Sequence, residues 1–202
     1  MRLKGLVDVS NAVSHTRSRR EKTAALAALL KQLQGREIPI GVSYLSGSLP
    51  QGRIGLGWSA ISGAQTTGAS DTPSLELLDA DSIFEQIAHT SGAGAVRTRT
   101  QLLIGLFTRA TRDEQDFLIR LISGDLRQGA LEGVLAEAVA KAVPAPADAV
   151  RQAAMMCGNL GEVAHAAFTE GAAALARYFT DRMRRRPTSA GRRRCPPAFG
   201  SL

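Results

Sequence analysis

Two stretches of this chain set out glycines, small hydroxyls or a carboxylate, an amide and an arginine in closely similar patterns. Leu45-Ser46-Gly47-Ser48-Leu49-Pro50-Gln51-Gly52-Arg53-Ile54-Gly55 returns as Ile122-Ser123-Gly124-Asp125-Leu126-Arg127-Gln128-Gly129-Ala130-Leu131, with a further glycine at Gly133. The offset is constant, since Ser46 and Ser123, Leu49 and Leu126, Gln51 and Gln128, and Gly52 and Gly129 are each 77 residues apart. A glycine after a helix lets the backbone turn with positive φ and lets a ligand come close. The amides of such a turn, with the positive end of a following helix, form an anion site. Ser46, Ser48, Gln51 and Arg53 are candidate side-chain donors in the first copy, and Arg127 and Gln128 in the second. Backbone at Gly47, Gly52, Gly55, Gly124, Gly129 and Gly133 would line the approach. Two copies point to two phosphates on two strands. Arg53 and Arg127 stand at different places in their copies, so the copies are quasi-equivalent. The alternative is that both turns are ordinary helix C-caps.

The elements that must carry these turns read as helices. Leu26, Leu29, Leu30 and Leu33 follow the i, i+3, i+4, i+7 rule over residues 19 to 34. Pro39 suits the first turn of a second helix through Ile40 and Leu45, stopping at Gly47. Gly55, Gly57 and Trp58 lead into a short third helix, and residues 62 to 73 read as a linker. An extended piece near 75 to 78 precedes helices expected at about 81–90 and 96–110. Thr111-Arg112-Asp113-Glu114 is a capping box for a helix burying Phe117, Leu118, Leu121 and Ile122 and ending at Gly124. Further helices are expected at about 131–142, 147–157 and 160–168, the last capped by Asn159, and a helical piece at 172–178. The upstream apolar positions repeat at the same offset: Leu26, Leu29 and Leu30 map onto Leu103, Leu106 and Phe107, and Ile40 onto Phe117. The expected fold is all-α, a duplicated helix–helix–Gly-turn unit with halves at about 1–65 and 75–176.

The formal net charge of +7 is concentrated in one place. Residues 177–202 hold eight arginines against the single acid Asp181, leaving 17 basic and 17 acidic residues in the remainder. A helical part with balanced charge binds nucleic acid only through a clustered distribution. Residues 177–202 lack apolar periodicity and are expected to be a solvated, disordered basic tail. The sequence has no apolar run of about 18 residues and no apolar leader, so no membrane span or secretion is expected. Cys157 sits on an apolar helical face and reads as a small buried hydrophobe. His15, His89 and His165 lie far apart without metal-ligand spacing. Asp79, Asp81, Asp113, Glu114 and Asp116 read as helix-start and solvated-face charges.

Phe117-Leu118-Ile119-Arg120-Leu121-Ile122-Ser123-Gly124-Asp125-Leu126-Arg127-Gln128-Gly129 resembles the signature of the N-terminal DNA-binding domain of ATP-dependent DNA ligases. Ser43-Tyr44-Leu45-Ser46-Gly47 with Gly52-Arg53-Ile54-Gly55-Leu56-Gly57-Trp58 is similar to the same family, in its actinobacterial and archaeal type. The resemblance covers roughly residues 1 to 176. It implies a helical module with internal pseudo-twofold symmetry, probing the minor groove of duplex DNA around a nick with its Gly turns on the two backbones. It further implies a monomer, a cytoplasmic, nucleoid-associated setting and a part in replication, repair and recombination. In the full-length family ATP and Mg serve a catalytic core that follows this domain and carries a Lys-x-Asp-Gly motif. Here Lys4, Lys22, Lys31 and Lys141 are the only lysines, and none begins that motif. No catalytic residue and no cofactor is therefore expected on this chain, which reads as a ligase gene truncated or frameshifted near residue 177.

Three other functions compete with this one. A helical protein-interaction module without DNA contact fits the balanced charge of residues 1 to 176. A competent ligase would need an activated lysine nucleophile that is missing. A helix-turn-helix regulator would need a polar base-reading helix, and none stands out.

Overall fold

The structure is a computed structural model and describes residues 1–126 and 129–178. Among these residues the fold is all-α, with ten α-helices, a 3-10 turn and no strands. Two compact units form, and each is built from two separated stretches of chain: Met1–His15 with Ser43–Gln128, and Thr16–Val42 with Gly129–Leu202.

The first unit holds α1 (Leu3–His15), the last turn of α3 (Glu37–Leu45), α4 (Trp58–Gln65), α5 (Leu77–His89), α6 (Ala95–Arg109) and α7 (Arg112–Ser123). Helix α1 has no counterpart in the sequence reading, yet Leu3, Leu6, Val7 and Val13 are all buried. It packs on α7, while α4 and α5 pack on α6. The extended piece expected near Leu75 is a single bridge. Arg2 faces Glu76, Leu3 N donates to Leu75 O at 2.8 Å, and Leu77 N donates to Met1 O at 2.9 Å. Helix α5 then begins at Leu77, earlier than the pattern suggests. The aromatic side chains Tyr44, Phe84, Phe107 and Phe117 centre this core. Tyr44 meets Phe84 edge to face with ring centroids 6.3 Å apart, a favoured arrangement for aromatic quadrupoles. At the start of α7 the Glu114 carboxylate accepts from Thr111 N at 2.8 Å, as the capping pattern requires.

The second unit holds α2 (Arg19–Leu30), the start of α3, α8 (Gly129–Ala142), α9 (Ala147–Cys157), α10 (Leu160–Glu170) and the 3-10 turn Ala172–Leu175. Helix α2 packs on α8, α8 on α9, and α9 on α10. The buried positions of α8, α9 and α10 are mostly alanine and valine, and those of α2 mostly leucine. Arg19 forms a two-pronged pair with Glu137, at 3.1 and 2.7 Å, and Arg151 reaches the same carboxylate at 3.2 Å. That network ties α2, α8 and α9, and the two guanidiniums hold the Glu137 carboxyl below its ordinary pKa. Asn159 Oδ1 accepts from Gly161 N at 2.9 Å and Glu162 N at 3.3 Å, starting α10.

Candidate nucleic-acid interface

The two Gly turns close their helices in the same way. Gly47 N donates to Tyr44 O at 3.0 Å and Ser48 N to Ser43 O at 2.9 Å. Seventy-seven residues on, Gly124 N donates to Leu121 O at 3.3 Å and Asp125 N to Arg120 O at 2.9 Å. Both are Schellman caps, whose glycine must adopt the left-handed conformation. The φ values are 76° at Gly47 and 79° at Gly124. The amides of Gly47, Ser48, Gly124 and Asp125 are thus spent on carbonyls of their own helices.

The first-copy side chains also turn inward. Ser46 Oγ donates to Ser43 O at 2.7 Å and lies 2.8 Å from Ser48 Oγ, which itself donates to Ser43 O at 3.2 Å. Both hydroxyls therefore close the end of α3. Gln51 Nε2 donates to Asp81 at 2.8 Å, and Asp81 is buried. So Asp81 is a strut beneath the loop and not a solvated-face charge. Tyr44 is buried beside it with no hydrogen-bond partner for its hydroxyl. Burial first, and the Asp81 charge second, push the Tyr44 pKa well above its ordinary value. Of the first-copy side chains read as donors, Arg53 is the exposed one, and it makes no ion pair among the described residues.

In the second copy Gly129 is the first residue of α8 and Gly133 lies inside that helix, facing the Arg19 side of α2. Arg127 and Gln128 lie outside the described residues, as do residues 179–202. The cleft of about 500 Å³ lined by Asn11, His15, Gln65, Asp113, Asp116 and Arg120 shares no residue with either turn. It sets two carboxylates against one guanidinium, which is no cradle for an anion.

Two helix starts without side-chain caps appear a few residues past the first turn and on α6. Helix α4 starts after Gly57, which supplies no capping side chain. Helix α6 starts after Gly94, also without one. Neither helix start has a side-chain cap, so the positive end of each dipole is not offset by its own N-cap residue. Helices α4 and α6 pack together, and Arg99 joins their beginnings. Its Nη2 donates to Thr90 O at 2.6 Å and its Nη1 to Gly55 O at 3.4 Å. Gly55 has φ +68°, and a Cβ there would lie 2.5 Å from Arg99 Nη1. Around these helix starts Arg53, Arg97, Trp58 and Val96 are exposed, Trp58 at 67 % and Val96 at 75 %. Arg97, Arg99 and Val96 were missed from sequence. Arg99 acts on a carbonyl 44 residues away, and no local spacing signals that. Two cations, two glycine-capped helix starts and an exposed indole form a surface suited to a polyanion.

The described residues bring no three His, Cys, Asp or Glu side chains together, and no lysine stands in Lys-x-Asp-Gly. No described helix is long and apolar enough to cross a membrane.

Residues 51–140 match the family described as DNA ligase N terminus. The chain is 49 % identical over 179 residues to a probable DNA ligase of Anaeromyxobacter sp. (strain Fw109-5), covering 88 % of this chain and 34 % of that protein. It is 47 % identical over 173 residues to one of Nocardia farcinica, covering 86 % and 33 %, and 45 % identical over 179 residues to one of Sorangium cellulosum, covering 88 % and 34 %. The chain thus spans about a third of the length of the curated relatives it matches. Over residues 51–140 the chain thus carries a DNA ligase N-terminal segment.

Proposed function

We propose that this chain binds duplex DNA without sequence preference, gripping the sugar–phosphate backbone in the minor groove around a nick, as the N-terminal part of an ATP-dependent ligase in replication, repair and recombination. The observation that carries this reading is the pair of glycine-capped helix starts held together by Arg99 and flanked by Arg53 and Arg97, in a chain that carries this segment. Helix starts without side-chain caps and unpaired guanidiniums recognise phosphate, and phosphate contacts position a protein without reading bases. The chain's own residues hold DNA, and nucleotidyl transfer is left to a lysine they do not include. The resident partner is duplex DNA, nicked, met by a monomer in the cytoplasm. Arg127 and Gln128 remain candidates for the second backbone.

Binding of the full chain to nicked and intact duplexes of several sequences, followed by fluorescence anisotropy, tests the reading. With about four phosphates neutralised, log K falls against log salt with a slope near −3.6. Arg53→Ala flattens that slope by about 0.9 on every sequence alike. A salt-independent affinity, or one that changes with base sequence, sinks the reading. Exposed Trp58 and Val96 favour the rival, a helical protein-interaction module, and retention of a protein partner with no retention on nicked duplex would select it.

A further inference from the structure

We propose that Arg99 is a positioning residue for the DNA-binding surface, locking the loop before α4 to the end of α5 so that both glycine-capped helix starts face one ligand. The proposal rests on the DNA-binding reading above. Arg99 lies just beyond the first turn of α6, yet its guanidinium is folded back into the protein. Nη2 donates to Thr90 O, Nη1 donates to Gly55 O, and Nε is buried without a partner. Thr90 is itself fixed as the C-cap of α5, its amide bonded to Gln86 O and Ile87 O. Arg99 therefore spans the whole loop 90–94 and reaches across to the loop 53–57. Gly55 permits the contact, because any side chain there would displace the guanidinium.

A guanidinium presents donors along two edges of one plane, so it can hold two carbonyls at once, while a lysine ammonium is a point donor on a flexible stem. Arg99 makes no ion pair among the described residues, so its charge also adds to the field at both helix starts. Its geometry differs from that of Arg53 and Arg97, which are exposed and available for direct phosphate contact.

The test compares the full chain with Arg99→Lys, Arg99→Ala and Gly55→Ala. Two readouts are taken: nicked-duplex affinity from about 50 to 200 mM salt, and fluorescence anisotropy of Trp58 without DNA. Trp58 is the one tryptophan in the sequence and adjoins the clamped loop. Arg99→Lys keeps the charge, and the expected result is a loss of about tenfold in affinity (about 1.4 kcal/mol) with an unchanged salt slope. The Trp58 anisotropy falls as the loop gains freedom. Gly55→Ala reproduces both changes with Arg99 intact, so the test survives if an Arg99 variant fails to fold. Parent-like affinity in Arg99→Lys overturns the proposal. With Arg99→Ala alone weakened and its slope lower by about 0.9, Arg99 is a phosphate contact instead. If the parent chain itself does not bind DNA, the DNA reading fails separately, and an unchanged Trp58 anisotropy in both Arg99→Lys and Gly55→Ala then refutes the clamp as well.

Discussion

Tyr44 shows how much a single side chain reports about the ground beneath the candidate interface. Its hydroxyl is buried without a partner, next to the Asp81–Gln51 hydrogen bond that supports the loop 46–55. An unsatisfied buried hydroxyl costs stability that a methine hydrogen does not. Tyr44→Phe is expected to be neutral or to stabilise the chain by up to about 1 kcal/mol in urea unfolding. The pH dependence has a definite sign. Tyr44 titrates in the folded state well above its ordinary value of 10.0, so above that value the unfolded chain loses its proton first. Stability is complete below that value and declines as pH rises toward the folded-state pKa, by up to about 1.4 kcal/mol per pH unit. Tyr44→Phe removes much of this alkaline loss. Tyr178, raised by burial, and Lys4, raised by its bonds to Asp8 and Asp113, retain the rest. Equal alkaline slopes in parent and variant would contradict the burial of Tyr44. The donor types at Ser46, Ser48 and Gln51 are legible from the residue names, but where they aim is not. Each meets an acceptor inside the protein, Ser43 O or Asp81, because a loop that ends a helix must first satisfy that helix.

At the level of the element, caps were the most readable signals. Thr111 with Glu114, and Asn159 with Glu162, announced the starts of α7 and α10, because capping is decided within four residues of chain. Asn159→Ala removes the two amide contacts of its Oδ1 and is expected to cost about 1 kcal/mol. Hydrogen exchange should quicken at Gly161 and Glu162 before it changes in α7, and equal protection in the variant would mean the cap contributes nothing. Helix α1 shows the opposite case. Its buried Leu3, Leu6, Val7 and Val13 are interrupted by Asp8, Ser10, Asn11 and Ser14, and no capping pattern marks its start. Packing against α7 decides its conformation, and packing is not written locally. The same holds for α4 and α6. Their lengths could be read from Gly57 and Gly94, but their common beginning depends on Arg99, which joins residues 44 positions apart.

Across the whole molecule, the charge and the connectivity carry separate messages. The eight arginines of residues 177–202 account for the formal excess, so the proposed DNA binding of the helical part rests on placement, as with Arg53 and Arg97, rather than on quantity. Connectivity sets a different condition. The first unit closes only when Met1–His15 meets Ser43–Gln128, and the second only when Thr16–Val42 meets Gly129–Leu202. A fragment of residues 1–65 contains a part of each unit and the whole of neither. Such a fragment is expected to show little helix by circular dichroism, and a cooperative thermal transition from it would refute this dependence. On the ribosome, α2 must therefore wait, its leucine face unmatched, until α8 has been synthesised about a hundred residues later. Nascent chains of intermediate length carry that sticky face in the open, which makes them the natural clients of a chaperone and the stage at which aggregation competes with folding.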